Sequence, residues 1–351
     1  MATPSITSVS GTISGGQTIT ITGADFGVKD PAKPLLWAPF EGSVDPSSLG
    51  IITSWSHINN MAYAPGEGIG GSGALKSTDY RANWGMRVDT SFAWNGLNQK
   101  MYLHRKEKLS WEITTDQNWK ILRGWSADSS GWFHLSSSNG ILNAGTPVEG
   151  GYNTWMQRPS ASQGIANQWR TDEMWMQSNS HVDLADGMLE YYANGNQEKV
   201  FVRVAHVPYQ AWEGIRYWKM RSSATPDFVQ LYPVHQVKAA TPDWPESRYI
   251  DQQSIGWADN VYLDTTWARV MIGDKPSFYE STLREIQIPA SWSSTGIEVT
   301  VNTGEFPTGK DVYIFVVDAD GKPSPGFGPL SVGMTDYDYS YPPQGLQIFI
   351  Q

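Results

Sequence analysis

Two stretches carry the side chains best suited to chemistry. Trp119 to Trp125 reads WKILRGW, and Trp169 to Trp175 reads WRTDEMW. At the two-residue period of a strand, Trp119, Ile121, Arg123 and Trp125 share one face, with Lys120, Leu122 and Gly124 on the other. The second stretch groups Trp169, Thr171, Glu173 and Trp175, with Arg170 and Asp172 opposite. Sugar rings pack their C–H faces on indole, while their hydroxyls need planar polar partners such as guanidinium and carboxylate. A face carrying Arg123, Glu173 and several indoles fits a carbohydrate-binding groove. Its candidate contacts are Trp119, Arg123, Trp125, Trp169, Glu173 and Trp175. The chain has 17 Trp, so a second reading stands beside the first: the indoles fill a large core and the charges sit at its rim.

Other chemistry is less well marked. Glu41 ends the strand LLWAPFE, and Asp259 and Asp264 flank the last inserted strand, in IGWADNVYLD. If these two segments pair, their carboxylates and backbone carbonyls could gather around a structural Ca²⁺; the alternative is a solvated acidic edge. No other cofactor is suggested. Eliminative cleavage of a uronate glycan needs a base and a group to neutralise the carboxylate. His134, His181, His206 and His235 are available, as are Arg123, Arg170, Arg203 and Arg216. Glycoside hydrolysis needs two carboxylates flanking the bond. Glu173 and Glu190 could face each other on adjacent strands, but nothing marks them. The Gly-rich run Gly66 to Gly73, GEGIGGSG, lacks the strand–loop–helix setting of a phosphate loop. No catalytic residue is assigned.

These residues need strands to position them, and the composition supplies strands. Gly 34, Pro 21 and abundant Ser, Thr and Asn indicate many turns in an all-β chain of 351 residues. A formal net charge of −10 with no basic run argues against nucleic acid as a partner and against adhesion to anionic lipid. With Cys 0, disulfides, thiolate metal sites and thiol nucleophiles are excluded. No apolar run approaches membrane-spanning length, so no membrane insertion is expected. The opening MATPSITSVS has neither a basic nor an apolar leader region. Either a leader has been removed, or the protein leaves its cell by another route, such as virion assembly and lysis.

The strand pattern has an unusual order. Gln17 to Thr22 alternates, with Ile19 and Ile21 on one face, after Gly15-Gly16 and before Gly23. Two short strands cannot bury a core alone. Matching strands reappear only at Ala268 to Ile272, Glu285 to Ile288, Ile297 to Asn302 and Val312 to Asp318. Residues 1–35 and 266–333 are therefore read as two parts of one small domain, with 36–265 inserted and 334–351 as a tail. Within the insertion, strands are expected at Met101 to Leu103, Leu109 to Thr114, Trp119 to Trp125, Trp132 to Ser136, Gln168 to Met176, Met188 to Ala193, Lys199 to Val204 and Phe228 to Tyr232. Leu35 to Glu41 and Ile255 to Asp264 open and close it. Residues 42–100 read as long loops with a few short strands. In the tail, LQIFIQ alternates as a strand would. It could pack on its own chain or add to a neighbour's sheet edge.

The N-terminal run PSITSVSGTISGGQTITITGADFG resembles the opening of an IPT/TIG immunoglobulin-like domain, and ARVMIGD, REIQIPASW and IEVTVN resemble that fold's later strands. The insertion resembles concanavalin A-like lectin and glucanase sandwiches, above all the polysaccharide-lyase-like branch. That resemblance rests on Trp119–Arg123, Trp169–Trp175, the hairpin Asp186–Gly195 (DGMLEYYANG) and Trp257–Asp264 (WADNVYLD). The resemblance implies a jelly-roll β-sandwich inserted into an Ig-like β-sandwich, with carbohydrate contact on a concave sheet. It does not imply cleavage. The Q-I/V-H and R-x-E-x-R motifs of well-known alginate lyases are absent, as is the E-x-D-x-x-E motif of laminarinases.

The sequence thus points to a non-enzymatic virion or extracellular surface protein: a decoration, fibre or tail-associated phage structural component acting in adhesion. Its expected partners are a glycan and neighbouring surface subunits, including further copies of itself in a homo-oligomer. A polysaccharide lyase acting on acidic glycans is the main alternative. A purely structural assembly protein is the third.

Overall fold

In the computed structural model, residues 2–78, 84–89, 99–110, 119–126, 132–138, 141–148, 152–157, 166–177, 187–194, 196–197, 217–218, 228–238, 255–333 and 339–340 are described. The chain is all-β and divides into two units. One comprises Met1–Pro34 with Thr266–Gln351, and the other is Leu35–Thr265.

The first unit is built on a ladder between segments far apart in sequence. Thr18–Ala24 pairs antiparallel with Gly296–Thr300, placing Ile19 opposite Val299 and Ile21 opposite Ile297. Ser5–Ser10 pairs with the other side of Thr18–Ala24, and Tyr339–Ser340 adds to its outer edge. The turn between the first two strands carries Gly11 at φ +102°, where an added Cβ would meet the Thr18 carbonyl oxygen at 2.8 Å. Only glycine satisfies that turn without strain.

One strand, Arg284–Trp292, serves two halves of this unit. Its first part, to Gln287, pairs with Arg269–Gly273. From Ile288 it pairs with Gly296–Thr300, with a register shift between Pro289 and Ser291. Proline lacks an N–H for a ladder and sits naturally where a strand changes partners. Asp311–Val317 and Phe327–Ser331 complete the path beyond Arg269–Gly273. Val9, Ile19, Ile21, Phe26, Val270, Ile272, Val299, Ile314, Val316 and Leu330 form one buried apolar cluster drawn from both ends of the chain. This is the Ig-like sandwich.

The second unit holds two antiparallel sheets, the layers of the jelly roll. The seven-stranded sheet runs Tyr152–Gln157, Ile141–Val148, Trp132–Ser138, Trp119–Ser126, Phe228–Lys238, Trp84–Asp89, His57–Asn59. The nine-stranded sheet follows the path Asn196–Gln197, Gly187–Ala193, Trp169–Gln177, Lys100–Leu109, Gly256–Asp264, Ala74–Ser77, Met61–Ala64. Leu36–Ala38 also pairs with Gly256–Asp264, so the two ends of this unit lie side by side: Leu36 faces Leu263, and Ala38 faces Val261. The strands expected at Lys199 to Val204 and beyond Ser110, and the LQIFIQ terminus, lie outside the described residues. Among the described residues, no helix is long and apolar enough to cross a membrane.

Ile19 is 1% exposed at the centre of the shared ladder. Ile19→Ala should cost about 2–5 kcal/mol, the range for truncating a buried aliphatic side chain. Urea unfolding followed by tryptophan fluorescence measures it. An unchanged midpoint would contradict the placement of Ile19 in the core.

Candidate functional site

Three strands of the nine-stranded sheet build one polar and aromatic face. Lys100–Leu109 lies between Trp169–Gln177 and Gly256–Asp264. Residues directly opposite in a ladder project to the same side. The register therefore gives four rows. Lys108 lies opposite Trp169 and Trp257, Lys106 opposite Thr171 and Asp259, His104 opposite Glu173 and Tyr262, and Tyr102 opposite Trp175 and Asp264. Strict alternation would put Asp259 and Tyr262 on opposite faces. A register shift between them, with Asn260 at φ +48°, turns both onto this one.

Three rows are buried and internally bonded. The Tyr102 hydroxyl donates to Glu173 Oε2 at 2.9 Å, and Lys106 Nζ donates to Thr171 Oγ1 at 2.7 Å. His104 Nδ1 lies 3.4 Å from the Asn260 carbonyl oxygen. The Tyr262 hydroxyl donates to Asp264 Oδ2 at 2.7 Å. Trp175 packs on Tyr102 and Tyr192, with ring centroids 6.1 and 5.6 Å apart.

The fourth row is the more open: Lys108 and Trp169 are half-buried, while Trp257 is 9% exposed. Lys108 Nζ sits 4.8 Å from the Trp169 ring centroid and 4.6 Å from that of Trp257, a cation between two indoles. Lys76 Nζ lies 5.4 Å from the Trp257 ring. Both carboxylate oxygens of Glu67 accept from Lys76 Nζ at 2.9 Å, and Glu67 Oε2 also accepts from Trp257 Nε1 at 2.7 Å. The Glu67 backbone carbonyl accepts from Lys108 Nζ at 3.2 Å. Bonding to Lys76 and then to Trp257 holds the Glu67 carboxyl below its usual range. Partial burial pulls the Lys108 ammonium down, against the opposing pull of the Glu67 charge.

Glu67 belongs to the Gly-rich run noted in the sequence. That run folds as a tight loop, closed by Gly68 N–H donating to the Ser72 carbonyl at 2.9 Å. Gly70 and Gly71 take φ of 65° and 87° inside it. Asp259 fastens the loop to the sheet: its Oδ2 accepts from Ile69 N–H at 3.0 Å and from Ser72 Oγ at 3.3 Å. Burial pushes the Asp259 carboxyl up to about 7, although the Ile69 and Asn260 amides pull it down.

The opposite face of the same strands is charge-balanced. Arg105 Nη2 meets Asp172 Oδ2 at 2.9 Å, Arg170 Nε meets Asp172 Oδ1 at 3.0 Å, and Arg170 also bonds Glu107. Burial raises the Glu107 carboxyl even beside two guanidinium groups. Two cations and two carboxylates enclosed together make a structural cluster whose members need one another.

The expected groove residues are therefore divided. Trp119, Arg123 and Trp125 lie on a strand of the seven-stranded sheet, where Arg123 is opposite His134 and Tyr232. They do not share a sheet face with Glu173. Alternation assigns a side chain to a face of its own strand and is silent on which sheet the strand joins. Glu173 and Trp175 are buried in the bonded rows, and Trp169 alone of the six stands in the open row. Two of the three carboxylates of the Ca²⁺ expectation are engaged within the fold. Glu41 is exposed, and Asp259 spends both oxygens on the loop and on Asn260 N–H. Asp264 spends its own on Tyr262 and Thr265. Among the described residues, no group of three or more His, Asp or Glu is placed to hold a metal.

Tyr102, His104, Lys106, Lys108, Lys76 and Glu67 were not singled out from the sequence. The signal is present in KMYLHRKEKL, where Tyr, His, Lys and Lys recur at every second position. Its charges disguise a buried strand as a loop. His181, His206, Arg203 and Arg216 lie outside the described residues.

Residues 4–46 match the IPT/TIG domain family. No curated protein matches the sequence. Among solved structures, the chain is similar to an endo-β-1,4-glucuronan lyase from the fungus Trichoderma reesei, at 16% identity and a TM-score of 0.38, over 61% of this chain and 92% of that one. It is similar to a PL-14 alginate lyase from Aplysia kurodai at 12% identity and a TM-score of 0.44, over 67% and 100%. A carbohydrate esterase from Shiga toxin-encoding bacteriophage phi24B gives 14% identity and a TM-score of 0.39, over 66% and 97%. At these scores the likenesses assign neither substrate nor chemistry to this chain.

The Asp259 carboxyl is raised in the fold above its ordinary 3.8. The folded state then binds the proton more tightly than the unfolded chain does. Asp259's contribution is full below its unfolded value and is lost as pH rises towards about 7, at no more than about 1.4 kcal/mol per pH unit. Asp259→Asn should flatten this part of the stability–pH profile, measured by urea unfolding across that window. An unchanged slope would contradict the burial of an ionisable group there.

Proposed function

We propose that this chain is a non-enzymatic surface protein, of a virion or an extracellular structure, whose Leu35–Thr265 unit binds carbohydrate. The observation that carries this reading is the open row Trp169–Lys108–Trp257. It offers the half-buried Trp169 indole for sugar C–H surfaces, with Trp257 buried beneath Lys108, while Lys108, Lys76 and Glu67 supply the donors and acceptors that hydroxyls require. The buried rows behind it hold the strand faces rigid, as a preorganised site needs. The Ig-like unit and the chain's end attach the protein to neighbouring subunits, including further copies of itself, and repeated display compensates for weak single sites.

One observation favours a second reading. Tyr102, His104 and Lys106 follow Lys108 along one strand face, and these are side chains that can move a proton in eliminative cleavage of a uronate glycan. Tyr102 is buried and bonded to Glu173, and Lys106 is buried and bonded to Thr171, an arrangement better suited to binding than to turnover.

A broad glycan array followed by titration tests the proposal. A ligand should be found, and Trp169→Ala should weaken it at least tenfold, about 1.4 kcal/mol, with the unfolding curve unchanged. An array with no ligand would overturn the carbohydrate reading. Depolymerisation of a uronate polymer, with ultraviolet-absorbing product abolished by Tyr102→Phe, would replace binding with lyase activity.

A further inference from the structure

The Glu67 carboxylate has a position that its role in the loop does not require. Asp259 already fastens the loop through Ile69 and Ser72. Glu67 instead reaches out to the open row, where it takes both the Lys76 ammonium and the Trp257 indole N–H. The pair stays accessible: the side chains of Lys76 and Glu67 are 31% and 39% exposed. Without the Glu67 carboxylate, the Lys76 ammonium and the Trp257 indole N–H would converge on one acceptor position, with the Lys108 ammonium held nearby on the Glu67 main-chain carbonyl. That is a receptor for an anion at the N–H edge of an indole.

We propose that Glu67 is a built-in stand-in for an anionic group on the ligand: its carboxylate occupies the Lys76–Trp257 donor site, and a carboxylate or sulfate ester of a bound glycan displaces it. This rests on the carbohydrate reading of the same row. Because the loop backbone is held by Asp259, rotation of the Glu67 side chain alone frees the site. An exposed ion pair is weak, so the exchange with an incoming anion is close to balanced. Neutral glycans leave Glu67 in place and use its carboxylate as an acceptor.

The test uses the full chain, with sodium glucuronate and sodium sulfate as probes at constant ionic strength, read by tryptophan fluorescence. Glu67→Gln should bind at least one probe about three- to tenfold more tightly than the unaltered chain. Adding Lys76→Gln should abolish that gain. The preferred probe distinguishes a uronate carboxylate from a sulfate ester. Equal or weaker binding by Glu67→Gln, no binding of either anion, or a gain that survives Lys76→Gln overturns the proposal. Glu67→Ala removes the competing amide and must give the same gain. The two readings fail separately. Tighter anion binding by Glu67→Gln with an empty glycan array leaves the anion site and removes the glycan. A glycan bound through Trp169 with no effect of Glu67→Gln does the reverse.

Discussion

The pairing of Thr18–Ala24 with Gly296–Thr300 is the constraint on which the rest depends. Strands from opposite ends of the chain share one ladder and one apolar cluster, so Leu35–Thr265 must leave that fold and return to it. Chain entropy opposes such closure, but the cost grows only logarithmically with loop length. The inserted unit lowers it further by bringing its own ends together, with Leu36–Ala38 lying directly against Gly256–Asp264. The same final strand, Gly256–Asp264, both closes the insertion and supplies Trp257, Asp259, Tyr262 and Asp264 to the candidate site. Architecture and site are thus tied through one segment.

The site itself is a gradient along one sheet face. At one end, tyrosines, a histidine, a lysine and carboxylates are enclosed, with Tyr102 bonded to Glu173, Lys106 to Thr171 and Tyr262 to Asp264. At the other, a lysine between two indoles meets solvent. Burying so many polar groups is tolerable only when their bonds are made inside. That requirement explains why the Tyr102–Glu173 and Tyr262–Asp264 pairs stand where they do. It also explains why the functional reading rests on the open row, where groups remain that can exchange partners.

Much of the fold could be read from residue order. The alternation in Gln17 to Thr22 and the glycines around it announced a strand of a small β-domain. With no second partner strand nearby, its other pairing has to come from the far end of the chain. The site was only half readable. WRTDEMW correctly set Trp169, Thr171, Glu173 and Trp175 apart from Arg170 and Asp172, because period two is local. Pairing is not local, so nothing in WKILRGW indicated that it joins the other sheet. Asp259 and Tyr262 share a face only because Asn260 adopts a left-handed backbone, and no alternation rule anticipates a bulge. His104 and Lys106 were hidden because charged residues read as exposed, and their burial follows from neighbours far away in sequence.

Native-state hydrogen exchange on the amides of the two paired strands tests the central claim most directly. If both ends of the chain form one cooperative unit, the amides of Thr18–Ala24 and Gly296–Thr300 open with the same free energy and the same dependence on denaturant. Exchange of the N-terminal strand at a clearly lower free energy, with the C-terminal strand still protected, would contradict a shared fold.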